Sequence, residues 1–191
     1  MKKLLAYFSF SLLLFLFSCE KEDECGGLEC QNGATCVNNN CDCPPHYTGA
    51  DCGQQITPTQ ISISKIQVSQ WPQQTADGEN WDESPCFGPL PDLFFTINFG
   101  NGQTAETSYY SEAKADTTYT FTDNFPLITS TVSTELSITL QDRDTGFCFP
   151  SDSLGTVKTQ LYTSTNDFPK TLELSDKNVP IKATVFIEYT F

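Results

Sequence analysis

Residues 136–144 read Leu-Ser-Ile-Thr-Leu-Gln-Asp-Arg-Asp, and this stretch decides the fold of the larger part of the chain. Apolar residues alternate with polar ones from Leu136 to Leu140, which is the pattern of a β-strand with one buried face. Two carboxylates, Asp142 and Asp144, follow directly. The segment therefore predicts a half-buried strand that leads into an acidic loop.

Seven further segments have strand-like composition or alternation, and turn-forming residues separate them. They are residues 61–68, 93–99, 105–110, 119–122, 155–162, 171–174 and 182–189. Aromatic residues, Thr and Ser are abundant, which favours strands over helices. Eight short strands with frequent turns predict an all-β domain, an eight-stranded antiparallel β-sandwich.

Two loops, at residues 75–92 and 142–152, break the regular spacing of these strands, and both are rich in Asp. Calcium prefers six to eight oxygen ligands, and Asp holds its oxygens close to the backbone. We therefore expect the two loops to share a calcium site, with Asp77 as the alternative to Asp82. The competing explanation is that Asp is common in loops because it forms turns and caps. The candidate ligands are Asp82, Asp92, Asp142, Asp144 and Asp152.

The pair of acidic loops resembles the calcium-binding end of a C2 domain. Residues 91–94 (Pro-Asp-Leu-Phe) are similar to the segment that closes the first acidic loop of the family. Asp142-x-Asp144 and residues 152–155 (Asp-Ser-Leu-Gly) are similar to the second. The resemblance covers about residues 61–189.

The C2 resemblance implies calcium as the cofactor, although the family includes members that have lost the metal. An acidic loop follows the first predicted strand and a strong strand ends the chain, which favours the type II strand order. The chain departs from the family in its long first loop and in the long gap between Asp144 and Asp152. Each of these insertions contains one cysteine, Cys86 or Cys148. We expect a disulfide between them, the alternative being two unrelated thiols.

A six-cysteine segment precedes the strands, and its spacing alone allows 15 connectivities. A segment this short cannot bury a large core, so crosslinks must stabilise it. The spacing Cys-x4-Cys-x5-Cys-x4-Cys-x-Cys-x8-Cys, with Gly49 before the last cysteine, resembles the epidermal growth factor (EGF)-like module. We expect no calcium here, because Lys21 stands where the family has an acidic ligand. The resemblance implies the disulfides Cys25–Cys36, Cys30–Cys41 and Cys43–Cys52.

The first residues resemble a bacterial lipoprotein signal. Residues 4–17 are almost wholly apolar but shorter than a membrane span of about 20 residues. Residues 16–19, Leu-Phe-Ser-Cys, are similar to a lipobox, which implies a lipid on Cys19; the alternative is an ordinary signal peptide. The acidic residues 20–24 are similar to the pattern that sends Bacteroidetes lipoproteins to the cell surface, the alternative being a solvated charge run.

These features predict five segments along the chain. The expected boundaries are a lipoprotein signal peptide (1–18), a lipidated acidic tether (19–24), an EGF-like module (25–53), a linker (54–60) and a C2-like sandwich (61–191). Disulfides on this scale indicate a compartment outside the cytoplasm.

The chain of 191 residues has a formal net charge of −14, with 24 acidic against 10 basic side chains. This balance argues against a nucleic-acid partner. We expect no enzyme, because the one histidine, His46, lies in the cysteine-rich segment and no nucleophile–base pair is present.

The expected function is an outer-membrane surface lipoprotein that acts as a calcium-dependent binding or adhesion module. Its lipid anchor holds it in the bacterial outer membrane, and calcium bridges it to a lipid, glycan or protein ligand. The aromatic loop residues Trp81, Phe87, Phe147 and Phe149 either contact that ligand or pack the loops. The alternative function is a metal-independent structural or accessory subunit of a cell-surface complex. A third interpretation is a noncatalytic partner of a nutrient-uptake or motility system.

Overall fold

The computed structural model describes residues 25–82, 90–144 and 151–191. The chain divides into two compact units, with the boundary between Gln55 and Ile56. The described residues form strands, turns and loops, and none of them lies in a helix that could cross a membrane. Cys19, the acidic tether, Cys86 and Cys148 lie outside the described residues.

The first unit contains two small antiparallel sheets. Strand β1 (Thr35–Val37) pairs with β2 (Asn40–Asp42), and β3 (Tyr47–Thr48) pairs with β4 (Gln54–Gln55). Only Cys52 is buried among residues 25–55, so crosslinks rather than a core hold this unit together. The disulfides are Cys25–Cys36, Cys30–Cys41 and Cys43–Cys52, which are the pairs that the EGF-like resemblance implies.

The second unit consists of two antiparallel sheets. One sheet has the order β11-β10-β6-β7; in the other, β12-β13-β5 is completed by β8 and β9, which both pair with β5. Because β8 and β9 pair with different parts of β5, they share one strand position, and the nine described strands occupy eight positions. The predicted eight-stranded antiparallel sandwich is confirmed. The strands are β5 (Gln60–Gln70), β6 (Leu93–Asn98), β7 (Thr104–Glu106), β8 (Tyr119–Phe121), β9 (Leu127–Thr129), β10 (Glu135–Asp142), β11 (Asp152–Gln160), β12 (Thr171–Ser175) and β13 (Lys182–Thr190).

The first and last strands of the sandwich, β5 and β13, lie side by side in the middle of one sheet. The register between them shifts at Phe186/Ile187, so Ser64 of β5 falls outside the residue-by-residue pairing. This bulge changes which residues of β5 face the core, because it adds one residue to the strand. Ile63 and Ile66 are therefore both buried although they are three positions apart.

The apolar residues that alternate along strand β10 lie in the core of the sandwich. Leu136, Ile138 and Leu140 are each no more than 1% exposed, because they share the inward face of the strand. Asp142 is the next residue in the same phase and is fully buried. The sandwich therefore places a carboxylate at the inner edge of its core.

The second acidic loop is shorter than predicted. Its expected first and last residues, Asp142 and Asp152, are paired with each other as the end of β10 and the start of β11. Pairing with β10 extends β11 through residues whose polar composition indicated a loop. The acidic pair thus belongs to the sheet itself.

Candidate metal centre

Asp142 is the central residue of the candidate metal centre. Its Oδ1 accepts a hydrogen bond of 2.6 Å from the backbone N–H of Asp92. Its Oδ2 is buried and has no hydrogen-bond partner among the described residues. A buried carboxylate oxygen without a partner is costly, so this oxygen is a candidate ligand for a cation.

Two further carboxylates, Asp82 and Asp144, converge on Asp142. One oxygen from each of the three lies within 4.8 Å of the other two. Asp82 is 2% exposed, and Oδ1 of Asp144 is buried without a partner in the described part of the chain. We call these three residues the Asp triplet. Asp82 comes from the segment between β5 and β6, whereas Asp142 ends β10 and Asp144 follows two residues later.

Burial is the largest cause of the raised pKa values in the triplet. It raises the pKa of Asp82 to about 7, with further contributions from the negative charges of Asp142 and Asp144. It raises the pKa of Asp142 to about 6, although the N–H of Asp92 acts in the opposite direction. Burial also raises the pKa of Asp144 and of Asp92. Without a cation, full ionisation of this group is therefore unfavourable.

Among the described residues, no basic side chain neutralises the triplet. Arg143 stands between two of its members, but its guanidinium lies 5.1 Å from the ring centroid of Tyr109 and 5.8 Å from that of Phe94. The ion pair seen in this part of the chain is Lys158–Glu135, which is exposed. The negative charge of the triplet is thus left for a ligand to balance.

The other predicted ligands have different surroundings. Oδ1 of Asp92 accepts a hydrogen bond of 2.8 Å from the backbone N–H of Glu112, so this carboxylate is already partly used. Asp152 is exposed and lies opposite Asp142 across the β10–β11 pair. Asp77, the alternative to Asp82, is exposed in a turn and is not part of the triplet. The structure thus brings together three of the five expected ligands, with Asp92 and Asp152 beside them.

Trp81 packs rather than projecting into solvent. It is partly buried against the core of the sandwich, and its Nε1 donates a hydrogen bond of 3.0 Å to the carbonyl oxygen of Pro72. The other three loop aromatics, Phe87, Phe147 and Phe149, lie outside the described residues. The hydrogen bond from the backbone N–H of Glu112 to Asp92 was not predicted from the sequence, because Glu112 belongs to a different loop.

The triplet fits calcium. Two oxygens that bind one calcium ion at about 2.4 Å each lie no more than about 4.8 Å apart, and the triplet satisfies this limit. A donor set made only of carboxylates suits a hard cation and not zinc or copper. Calcium needs more ligands than three, and Asp92 and Asp152 are the carboxylates available nearby.

Comparison with known proteins gives no family assignment. No protein-family model and no curated protein matches the sequence. Similar solved structures include a C2 domain, with 17% identity, 69% of this chain and 98% of that chain covered, and a TM-score of 0.45. A C2 domain of plant extended synaptotagmin 1 has 12% identity, 71% and 98% coverage, and a TM-score of 0.37.

Human GIVD cytosolic phospholipase A2, bound to methyl gamma-linolenyl fluorophosphonate, is also similar, with 15% identity and a TM-score of 0.41. The match covers 70% of this chain and 18% of the phospholipase. These similarities are too low to support a function, so the candidate site rests on its own geometry.

Proposed function

We propose that the second unit is a calcium-dependent binding module in which Asp82, Asp142 and Asp144 hold the metal. The observation that carries this proposal is the burial of three converging carboxylates, two of which have an oxygen without a partner among the described residues. Removing carboxylates from water is costly unless a cation or hydrogen bonds compensate. A divalent cation coordinates all three carboxylates at once and balances two of their negative charges.

Calcium in this position has two effects on the protein. It balances two of the three negative charges of the triplet, and it crosslinks the segment that contains Asp82 to the end of β10. A metal that keeps free coordination positions also binds oxygen atoms from outside the protein. The partner class is therefore a ligand with phosphate or carboxylate groups, carried by a lipid, a glycan or a protein.

The proposed location is the outer surface of a bacterial outer membrane, with a lipid on Cys19 as the anchor. The lipobox-like residues 16–19 and the three disulfides of the first unit support an exported protein. Calcium outside cells is often near millimolar, so even a site with a Kd of about 10⁻⁴–10⁻³ M is occupied there. The proposed role is binding rather than catalysis.

A calorimetric calcium titration of the chain from residue 20 onward tests the proposal. Asp144→Asn removes one charge from the triplet and should weaken calcium binding at least about tenfold, because a charged ligand is lost. Asp123→Asn is the matched control: it removes the same charge from an exposed turn. It should leave the affinity unchanged.

Absence of saturable binding at several millimolar calcium would rule out the metal-dependent function. Equal affinities of the native chain and Asp144→Asn would rule out the triplet as the site. The first result would favour the metal-independent accessory subunit instead, and the second would show that calcium binds elsewhere on the chain.

A further inference from the structure

A cleft of about 680 Å³ opens beside the candidate metal centre. Three segments line it: residues 72–77 together with Trp81, residues 152–154 at the start of β11, and residues 178–180 before β13. We call it the Trp81 cleft. None of the three triplet residues lines it, although Asp152, which lies beside the triplet, does.

A second cavity of about 430 Å³ adjoins the Trp81 cleft. The two cavities share Gln73 and Pro180 as lining residues, and Trp71 contributes to the second one. Nε1 of Trp71 is buried without a hydrogen-bond partner in the described part of the chain. The two cavities are therefore neighbours, and we refer to them together as the groove.

The lining combines apolar, uncharged polar and acidic side chains. Leu154 is buried in the lining, and Trp81 and Val179 are partly buried. Among the described residues, no Lys or Arg lines either cavity, whereas three carboxylates do. The groove therefore repels phosphate, sulfate and carboxylate groups. The exposed polar residues of the Trp81 cleft are Gln73, Gln74, Asp77, Asp152, Ser153 and Asn178.

One wall of the Trp81 cleft is held in place by its own hydrogen bonds. Nε1 of Trp81 donates to the carbonyl oxygen of Pro72, and Nε2 of Gln73 donates to that of Trp71 at 3.0 Å. Thr75 closes a turn through its Oγ1, which accepts a hydrogen bond from the backbone N–H of Glu79.

The opposite wall is fixed by Asp176. Its Oδ1 accepts hydrogen bonds from the backbone N–H groups of Asn178 at 2.6 Å and Val179 at 3.3 Å. Both walls are thus formed before a ligand arrives. A preformed site loses little conformational entropy on binding.

Two polar side chains on these walls have hydrogen-bonding capacity to spare. The side-chain amides of Gln74 and Asn178 make no hydrogen bond within the described residues, and both are exposed. An amide offers two N–H donors and one carbonyl acceptor. The cleft therefore presents amide donors and acceptors alongside its apolar side chains.

We propose that the Trp81 cleft binds a neutral carbohydrate chain. A sugar ring has hydroxyl groups around its edge, which pair with amides, hydroxyls and carboxylates as donors and acceptors. Its C–H faces are apolar and pack on an indole ring and aliphatic side chains. The carboxylates of the lining disfavour an anionic ligand in this cleft. The adjoining cavity offers space for further sugar units. This binding does not depend on the proposed calcium site.

The test starts with an array of immobilised neutral oligosaccharides, their sulfated and carboxylated counterparts, and oligolysine. The chain from residue 20 is applied once in calcium and once in EDTA. We expect binding to a subset of the neutral oligosaccharides under both conditions. Because EDTA removes calcium, a failed calcium site leaves this result unchanged, and the two proposals fail separately.

The best neutral oligosaccharide is then titrated in solution. The chain has two Trp residues, one in each cavity, so the intrinsic fluorescence reports on the groove directly. Gln74→Ala with Asn178→Ala should weaken binding about tenfold or more, because two sets of hydrogen bonds are lost. Gln160→Ala, an exposed amide at the far end of β11, is the control and should bind like the native chain.

Three outcomes overturn the proposal: no neutral oligosaccharide binds, only charged probes bind, or the double variant binds as tightly as the native chain. The double variant changes side chains that make no hydrogen bonds among the described residues, so it should fold normally. Binding of oligolysine alone would identify the groove as a site for basic peptides.

Discussion

The backbone N–H of Asp92 donates a hydrogen bond of 2.6 Å to Oδ1 of Asp142. This bond fixes one oxygen of the buried carboxylate and leaves Oδ2 without a partner in the described residues. The carbonyl oxygen of Asp92 accepts a hydrogen bond from the N–H of Arg143 at 2.9 Å. The start of β6 and the end of β10 therefore hold Asp142 in one orientation, which reduces the cost of binding a cation there.

Asp142→Asn should make the metal-free protein more stable and abolish its stabilisation by calcium. Asn keeps an oxygen that accepts the Asp92 N–H but removes a buried negative charge. Near neutral pH we expect the free energy of unfolding in EDTA to rise by about 1 kcal/mol. Urea denaturation in EDTA and in millimolar calcium measures both effects. A variant that is less stable than the native chain in EDTA would contradict the electrostatic explanation.

The stability of the metal-free protein should fall as the pH rises from about 4 to about 7. The pKa of Asp82 is raised to about 7 and that of Asp142 to about 6, from an ordinary value of 3.8. Groups with raised pKa values stabilise the folded state fully below their unfolded pKa, and this contribution is lost as they ionise. Proton binding competes with calcium, so calcium affinity should increase over the same range.

Urea unfolding in EDTA between about pH 5 and pH 8 tests this dependence. The variant with Asp82→Asn and Asp142→Asn is the reference, because it lacks both titrating groups. If the native chain and this reference show the same pH dependence, the two carboxyl groups are not responsible for it.

Gly155→Ala should destabilise the sandwich strongly. A Cβ at Gly155 would lie 2.7 Å from Cδ1 of Ile181 and 2.9 Å from Cγ1 of Val179, at a φ of +148°. We expect the free energy of unfolding to fall by about 2–4 kcal/mol. Gly102→Ala is the control: its φ is +89°, but nothing lies within 4 Å of the added Cβ, so about 1 kcal/mol is expected. Equal losses would show that strain in φ, not packing, limits residue 155.

Cys86 and Cys148 should form a disulfide. They lie outside the described residues, but each stands four positions after a residue of the triplet, Asp82 or Asp144. Because those two side chains meet, the segments that follow them start close together. Protease digestion without reductant, followed by mass spectrometry, should yield one crosslinked peptide pair. Two free thiols on these cysteines would refute the bridge.

Strand positions were largely predictable because apolar alternation dominates this sequence. The pattern over residues 136–140 predicts β10, and the strand predicted at residues 61–68 lies within β5. Strand β9 was missed because it has three residues, of which Ile128 is exposed, so no alternation is visible. The segment predicted at 105–110 pairs only as far as Glu106, apart from a single bridge between Tyr110 and Leu93.

The candidate metal centre was predictable in part. The alternation in β10 predicts that Asp142 lies on the buried face. Asp144 is two positions further along, so an extended chain places it on the same side. The role of Glu112 was not predictable, because its N–H reaches Asp92 across 20 positions of sequence. The Trp81 cleft was also not predictable from the sequence, because three segments that are distant in sequence form it only after folding.

The pairing of β5 with β13 has a consequence for how the chain acquires its structure. Thr59 donates both its N–H and its hydroxyl to the carbonyl oxygen of Thr190, 131 positions away. Closing so long a loop is entropically expensive, and topologies dominated by such contacts fold in milliseconds to seconds. A nascent chain that lacks β13 still has β8 and β9 beside β5, but the other edge of β5 has no partner. The sandwich is therefore expected to fold only after β13 has been synthesised, and release of the chain before that point would expose one edge of the eleven-residue β5 to aggregation.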